Sequence, residues 1–478
     1  MTFPDERRYI MSWSFLKHLS QGDLQGSIIA LFSADGRPGN VLVQTIPAVG
    51  QFLSAKIWGW EFLESQNSAP VFVYNFLIYS LIIYVLYKIY KLLIPNDTLV
   101  LFGLLVYSIL INSFVYLRHI FPYNESLLVF LFVIWQMLKY KIEKQADIYP
   151  KKIILWSALA WTAYMIYPAY YLTYMAVFFL FNFLFLLHGR KSIRQVVYYN
   201  FIYLFTSFAI FILVEFLSGL GHRSYLKSLI SLSKAVKQGS FSESYTFLFK
   251  YLFQVERIGG MLLILGIILF LFYLPSFIKQ RKMRPALYLI VSFFIPYFLH
   301  TSMGYFFHSM TMYGRILHQF IPVVILMLLL FMIRCKLIVC QRIIVFLSLL
   351  ISLEYFFQLK EYLQIVYPRD VYWQYLKTYP DDKIINLSTY KNAWSNLPER
   401  LEGKYIDASK KDSIYIVNGM FFYPYDTVQQ ISLKLPEKLR LIFDKLHFIN
   451  YKAYQYEGLN IEERKRVDSL NFHIQVYR

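Results

Sequence analysis

Two cysteines in 478 residues, Cys335 and Cys340, exclude a disulfide framework, and neither keeps the company of a metal site. Charge is scarce as well: 16% of residues are Asp, Glu, Lys or Arg, against about 25% in a soluble domain. The acidic sign is the scarcer, 29 residues against 48 basic ones. That excess would suit nucleic acid if it formed a face. The basic residues instead stand in short clusters between apolar runs, as topology signals do, and nucleic-acid binding is set aside. A cleavable signal peptide is also missing, since residues 1–26 are polar and lack an apolar core. No internal repeat, low-complexity tract or flexible linker stands out.

What is abundant is apolar and aromatic: 57% and 20% of the chain. These residues gather in runs long enough to cross a bilayer, which takes roughly 17–25 residues. Ten spans are expected, at about 71–94, 98–117, 125–139, 153–167, 170–187, 196–217, 260–278, 285–303, 315–333 and 337–356. If they alternate, the basic clusters fall on one side: Lys88 and Lys91, Lys139 to Lys152, Arg190 to Arg194, Lys279 to Arg284, and Arg334 to Arg342. The positive-inside rule makes that side cytoplasmic. The fold class expected is therefore mostly α, a polytopic helical bundle. Residues 1–70, the loops at 118–124, 218–259 and 304–314, and the tail 358–478 then lie outside, with the bundle itself at 71–357.

The first segment reads as two amphipathic helices at the membrane interface, PDERRYIMSWSFLKHLS and VLVQTIPAVGQFLSAKIWGWEFL, separated by the turn SADGRPGN. In the tail, DDKIINLST, DSIYIVNG and NFHIQVYR read as strands and KLPEKLRLIFDKL as a helix, so 358–478 is expected to be a small α/β domain.

Charge inside the spans is nearly absent, and mid-span polar groups are amides such as Asn75, Asn112 and Gln136. That disfavours an ion-coupled transporter, whose path needs buried ionisable groups. The polar residues collect instead at the outer ends: Asp5 with Glu6, Arg37, Arg118 and His119 near Glu125, Gly221-His222-Arg223, and Arg315 with His318. A carboxylate pair facing arginines suits group transfer from a phosphate-linked donor. The carboxylate takes a proton from the attacking hydroxyl, and guanidinium forks or a metal neutralise the departing phosphate. Each residue also has a structural reading. Thr2-x-x-Asp5 fits a helix cap, Arg118 and His119 fit interface anchors, and His318 fits a bond to a neighbouring helix.

The arrangement resembles the GT-C glycosyltransferases, in particular the branch with protein O-mannosyltransferases and lipid A aminoarabinose transferases. The resemblance rests on PDERRYIMSWSFLKHLSQGD with Asp5 and Glu6, on GRPGNVLVQTIPAVG, and on YGRILHQFIPVVILMLLL. It implies transfer of a sugar from a polyprenyl-phosphate donor to a lipid, glycan or protein acceptor, with inversion, outside a bacterial inner membrane. Asp5 would be the catalytic base and Glu6 a second acidic group for acceptor or divalent metal. Arg118, His119, Arg315, His318 and Arg37 are the residues expected at the donor phosphate. Family members carry a span before the acidic pair, and none precedes it here, so an in-frame apolar stretch upstream of Met1 is expected. The alternatives are an O-antigen-type polymerase or ligase, which would depend on Arg223 and loop 218–259, and a transporter or flippase of lipid-linked glycan.

Overall fold

The computed structural model describes residues 9–33, 37–59, 68–144, 148–187, 191–235, 243–309, 312–334, 337–376, 378–379, 383–388, 413–418 and 439–478. Its described residues divide into two compact units, 9–354 and 355–478. The described residues are mostly helical, with one small sheet.

The first unit opens with α1 (Ile10–Ser20), α2 (Leu24–Phe32) and α3 (Pro38–Trp58). Where two helices were expected the described residues hold three, because Asp23 accepts the Gly26 N–H and caps a separate α2. Next come α4 (Ala69–Leu93), α5 (Asp97–Ile109), the short α6 (Ile111–Phe114), α7 (Tyr123–Lys139), α8 (Pro150–Ile166), α9 (Tyr171–Phe181) and α10 (Ile193–Leu220). Two short helices, α11 (Tyr225–Ala235) and α12 (Phe247–Gln254), precede α13 (Arg257–Lys279) and α14 (Arg284–Phe307). The unit closes with α15 (Gly314–His318), α16 (Ile321–Met332) and the first part of α17 (Leu337–Gln364).

Among the described residues, six helical stretches are long and apolar enough to cross a membrane. They are Ala69–Leu93, Pro168–Leu187, Ile193–Leu220, Arg257–Lys279, Arg281–Phe307 and Gln341–Gln364. A seventh exists if α5 and the stretch Ile111–Arg118, bent by 68° against each other, count as one span. The other expected spans are helical but do not count among these: α7 and α8 have 17 residues each, at the lower limit for a crossing, and α16 has 12. On α10, Val197, Phe201, Leu204, Phe208 and Phe216 stay exposed, and so do Phe346, Leu349 and Leu353 on α17. Large apolar side chains left uncovered along such helices are those of an integral membrane protein. At the other extreme α16 is buried on every face from Ile321 to Leu330. A helix apolar all round belongs at the centre of a bundle.

The second unit holds α18 (Pro368–Leu376), α19 (Lys452–Gly458), α20 (Ile461–Leu470) and a four-stranded sheet. Its strands are β1 (Ile384–Ser388), β2 (Ile414–Asn418), β3 (Leu441–Leu446) and β4 (His473–Tyr477), in the order β1-β2-β4-β3. The β1–β2 pair is parallel and the rest antiparallel. Ile384, Ile414, Ile416, Ile474 and Val476 pack on Val371 and Tyr372 of α18. The helix expected over KLPEKLRLIFDKL is overturned for Leu441–Leu446, which forms β3. Arg440 and Arg478 exchange backbone bonds at 2.7 and 3.0 Å, and the Asp444 carboxylate accepts from Gln475 at 3.1 Å and pairs with His473 at 2.7 Å. Cross-strand pairing outweighs the helical preference of a Leu/Lys-rich segment.

Candidate functional site

The stretch from Leu110 to Glu125 builds the site. Its helix breaks at Leu110, which is extended, resumes as α6 and a 3-10 turn at Val115–Arg118, and opens again at His119 before α7. A loop buried in this way needs partners for its carbonyls. Asn75 of α4 supplies them for Leu117 and His119, donating from Nδ2 at 3.1 and 2.8 Å, and Gln44 of α3 donates to the Ile120 carbonyl at 3.1 Å. Side-chain amides thus serve as loop clamps. In turn α3 is fixed by α1: the Tyr9 hydroxyl and the Trp13 indole both donate to Gln51 Oε1, at 2.7 and 3.1 Å.

Around the loop stands a wall of rings. His119 stacks on Phe121 and Phe121 on Tyr123, each at 5.0 Å between centroids. Tyr116 meets Tyr123 edge-on at 4.9 Å, and Tyr123 touches Tyr167 at 4.6 Å. Two guanidinium groups sit on this wall. Arg315 donates to the Tyr123 hydroxyl at 3.0 Å and lies 5.1 Å from the Tyr313 ring. Arg37, the residue before α3, lies 5.4 Å from the Tyr167 ring. Arg37 and Arg315 come from segments 278 positions apart in the chain, yet stand on two rings in contact.

The basic candidates fare differently. Arg37, His119, Arg315 and His318 all join the ring cluster. Arg118 ends the 3-10 turn, half-buried, beside His119. His318 is fully buried, with Nδ1 2.8 Å from the Tyr170 hydroxyl, Nε2 3.4 Å from the Tyr107 hydroxyl and its ring 5.3 Å from Tyr116. This geometry anchors the end of α15 and sets His318 against Tyr116. His222 and Arg223 belong to the turn after α10, where Glu215 accepts from Ser224 and from the Leu226 N–H, both at 2.8 Å. Asp5 and Glu6 lie outside the described residues. Among the described residues no three His, Cys, Asp or Glu side chains are placed to hold a metal ion.

One residue has a setting that sequence reasoning missed. Glu125, in the first turn of α7, is 4% exposed. The Tyr74 hydroxyl is near enough to interact with it, but its well-formed bond goes to the Val43 carbonyl at 3.2 Å. Both Glu125 oxygens are therefore left without a well-formed bond among the described residues, as are the side-chain oxygens of Asn40 and Gln44 on α3 and of neighbouring Asn124. Buried acceptors are normally satisfied. The side-chain oxygens of Asn40, Gln44, Asn124 and Glu125 can accept from hydroxyls or cations, and the guanidinium groups of Arg37 and Arg315 on the ring cluster can donate to anions. The one signal in the sequence was the position of Glu125 at a helix start next to Arg118 and His119. Comparison of the chain with protein-family models, with characterised proteins and with solved structures finds no match.

Proposed function

We propose that the chain is a membrane glycosyltransferase of the GT-C type, moving a sugar from a polyprenyl-phosphate donor to a lipid, glycan or protein acceptor. The observation that carries this reading is the pairing of Arg37 and Arg315 on the touching rings of Tyr167 and Tyr123. A guanidinium held against a ring is oriented and partly desolvated before its ligand arrives, so its attraction for a phosphate is less screened than in water. In this reading ten spans alternate across a bacterial inner membrane, with the basic clusters inside, and the arginines and the second unit outside.

The chemistry follows from the charges. Asp5 takes the proton of the acceptor hydroxyl as its oxygen attacks the anomeric carbon, and Glu6 helps to hold the acceptor. The bond from that carbon to the phosphate oxygen breaks, with the electron pair staying on oxygen. Polyprenyl phosphate leaves as an anion, neutralised by Arg37, Arg118 and Arg315. Attack from the face opposite the leaving group inverts the centre. The spare acceptors of Asn40, Gln44, Asn124 and Glu125 receive sugar or acceptor hydroxyls.

The test is turnover by the full chain in lipid nanodiscs supplied with a panel of polyprenyl-phosphate sugars, read as polyprenyl phosphate release and product mass. The wild type is expected to turn over, Asp5→Asn to be inactive and Arg315→Ala to be strongly impaired. Full turnover by Asp5→Asn, with only the loss of about 1 kcal/mol of stability that a helix cap provides, would reject the role of Asp5. Movement of lipid-linked glycan across vesicles without product would identify a flippase instead.

A further inference from the structure

A carboxylate outside the ring cluster holds the cluster's two basic segments at their roots. Glu256, between α12 and α13, is 1% exposed and makes no ion pair among the described residues. Its two oxygens accept the backbone N–H groups of Ile111 and Asn112 at 2.6 and 2.7 Å. Those are the donors orphaned where the helix breaks between α5 and α6. A local cap would normally take them, but the residue in the capping place is Leu110, which has no acceptor side chain. The acceptor is brought instead from 145 positions away.

The chain continues from this clamp in two directions. Forward from Asn112, α6 and the 3-10 turn lead within seven residues to Arg118 and His119. Sideways, Asn112 Nδ2 donates to the Gly314 carbonyl at 3.0 Å and to the Tyr251 hydroxyl at 2.7 Å. Gly314 is the residue before Arg315, and Tyr251 belongs to α12, the helix leading to Glu256. A buried carboxylate with only neutral partners is costly where apolar packing would serve. Burial pushes its carboxyl up to about 7, against the two backbone N–H groups that pull it down. The backbone that aims it is unusual too: the next residue, Arg257, has φ 46, a conformation side chains other than glycine seldom adopt.

We infer that Glu256 is a positioning residue: by clamping the broken helix and, through Asn112, the start of α15, it holds His119 and Arg315 in one geometry for an anionic ligand. The ligand half of this inference rests on the assignment of Arg315 to a donor phosphate, whereas the clamp itself does not.

The experiment uses the full chain in nanodiscs, with hydrogen–deuterium exchange as one readout and affinity for polyprenyl monophosphate as the other. In Glu256→Gln, which keeps size but replaces one of the two acceptor oxygens by an amide nitrogen that cannot accept, amides of 111–119 and of 314–318 should both exchange faster. Asn112→Ala keeps the backbone donor but cuts the link to Gly314, so it should loosen 314–318 alone. Affinity should fall about tenfold in Glu256→Gln, and by less than the sum of the single effects when combined with Arg315→Ala. Unchanged exchange at 314–318 in both variants, or fully additive losses of affinity, would overturn the inference. Unchanged affinity in Arg315→Ala alone would overturn the phosphate assignment instead, and the exchange pattern would still decide whether the clamp exists.

Discussion

Arg315 donates from Nη1 to the Tyr123 hydroxyl at 3.0 Å, and the ring of Tyr123 rests 4.6 Å from that of Tyr167, which carries Arg37. The tyrosine thus orients one guanidinium through its hydroxyl while its ring fixes the platform of the other. Tyr123→Phe keeps the ring and removes the bond. Its stability is expected to change by about 1 kcal/mol, the net worth of one hydrogen bond. Affinity for polyprenyl phosphate should fall several-fold. Arg315→Lys should not restore an Arg315→Ala loss, because an ammonium has no planar fork for the hydroxyl and a phosphate at once. Thermal unfolding in detergent and a lipid-binding titration check both. A Tyr123→Phe protein with wild-type affinity would show that the ring alone suffices.

The junction also depends on how closely α3 approaches the end of α8. A Cβ on Gly39 would come within 2.6 Å of the Ile166 amide nitrogen and 2.7 Å of the Met165 carbonyl carbon. Those are backbone atoms and cannot rotate away. Gly39→Ala must push α3 off α8, and Arg37, two residues earlier, moves off Tyr167 with it. Overpacking of this kind costs about 1–3 kcal/mol. Gly219→Ala serves as the comparison, since a Cβ there meets nothing within 4 Å. The expected result is a lowered unfolding temperature and weakened phosphate binding for Gly39→Ala, and neither for Gly219→Ala.

How much of this was legible follows from where each signal resides. Long apolar runs are local, so the helical segments and their approximate limits could be read directly. β1, β2 and β4 could be read as well, from β-branched alternation in IINLS, IYIVN and HIQVY. The break at Leu110 could not. LLVYSILINSFVYLR has no proline or glycine to mark it, and its stabilising partner, Glu256, is remote in sequence. For the same reason β3 was mistaken for a helix, since only its pairing with β4 makes it a strand. The sequence singles out Arg37, His119, Arg315 and His318 as polar residues expected on one side of the bundle; that they share one ring cluster is a matter of packing. The setting of Glu125 was not legible either, because burial and missing partners are properties of packing.

Glu125 offers a test in which stability and function move in opposite directions. A buried carboxylate without well-formed bonds is a stability liability. Glu125→Gln replaces an ionisable buried group by a neutral one of the same size, so the unfolding temperature should hold or rise. If the acceptors around it serve substrate, turnover should fall sharply in the same protein. A lower unfolding temperature with unchanged turnover would instead make Glu125 a structural group paired with Tyr74.

The second unit carries a pH dependence whose sign can be fixed. His447 is fully buried, stacks beside Phe448 at 4.5 Å and accepts the Ile449 N–H at Nδ1, 3.2 Å away. Burial pushes its imidazole down to about 3, from the ordinary value near 6.5. Above pH 6.5 both folded and unfolded chains carry it neutral, and its contribution to stability is fully present. Between pH 6.5 and 3 the unfolded chain binds a proton that the folded unit refuses. Stability is therefore lost as pH falls, by up to about 1.4 kcal/mol per pH unit. His447→Asn keeps a neutral, compact acceptor and cannot titrate in this range. Other groups contribute to the acid slope of both proteins, so the difference between wild type and variant isolates His447. Limited proteolysis of the full chain within 440–478, followed from pH 7 to pH 4.5, should show steepening loss of protection in the wild type and a flatter profile in His447→Asn. Parallel profiles would mean that His447 is reached by protons in the folded unit.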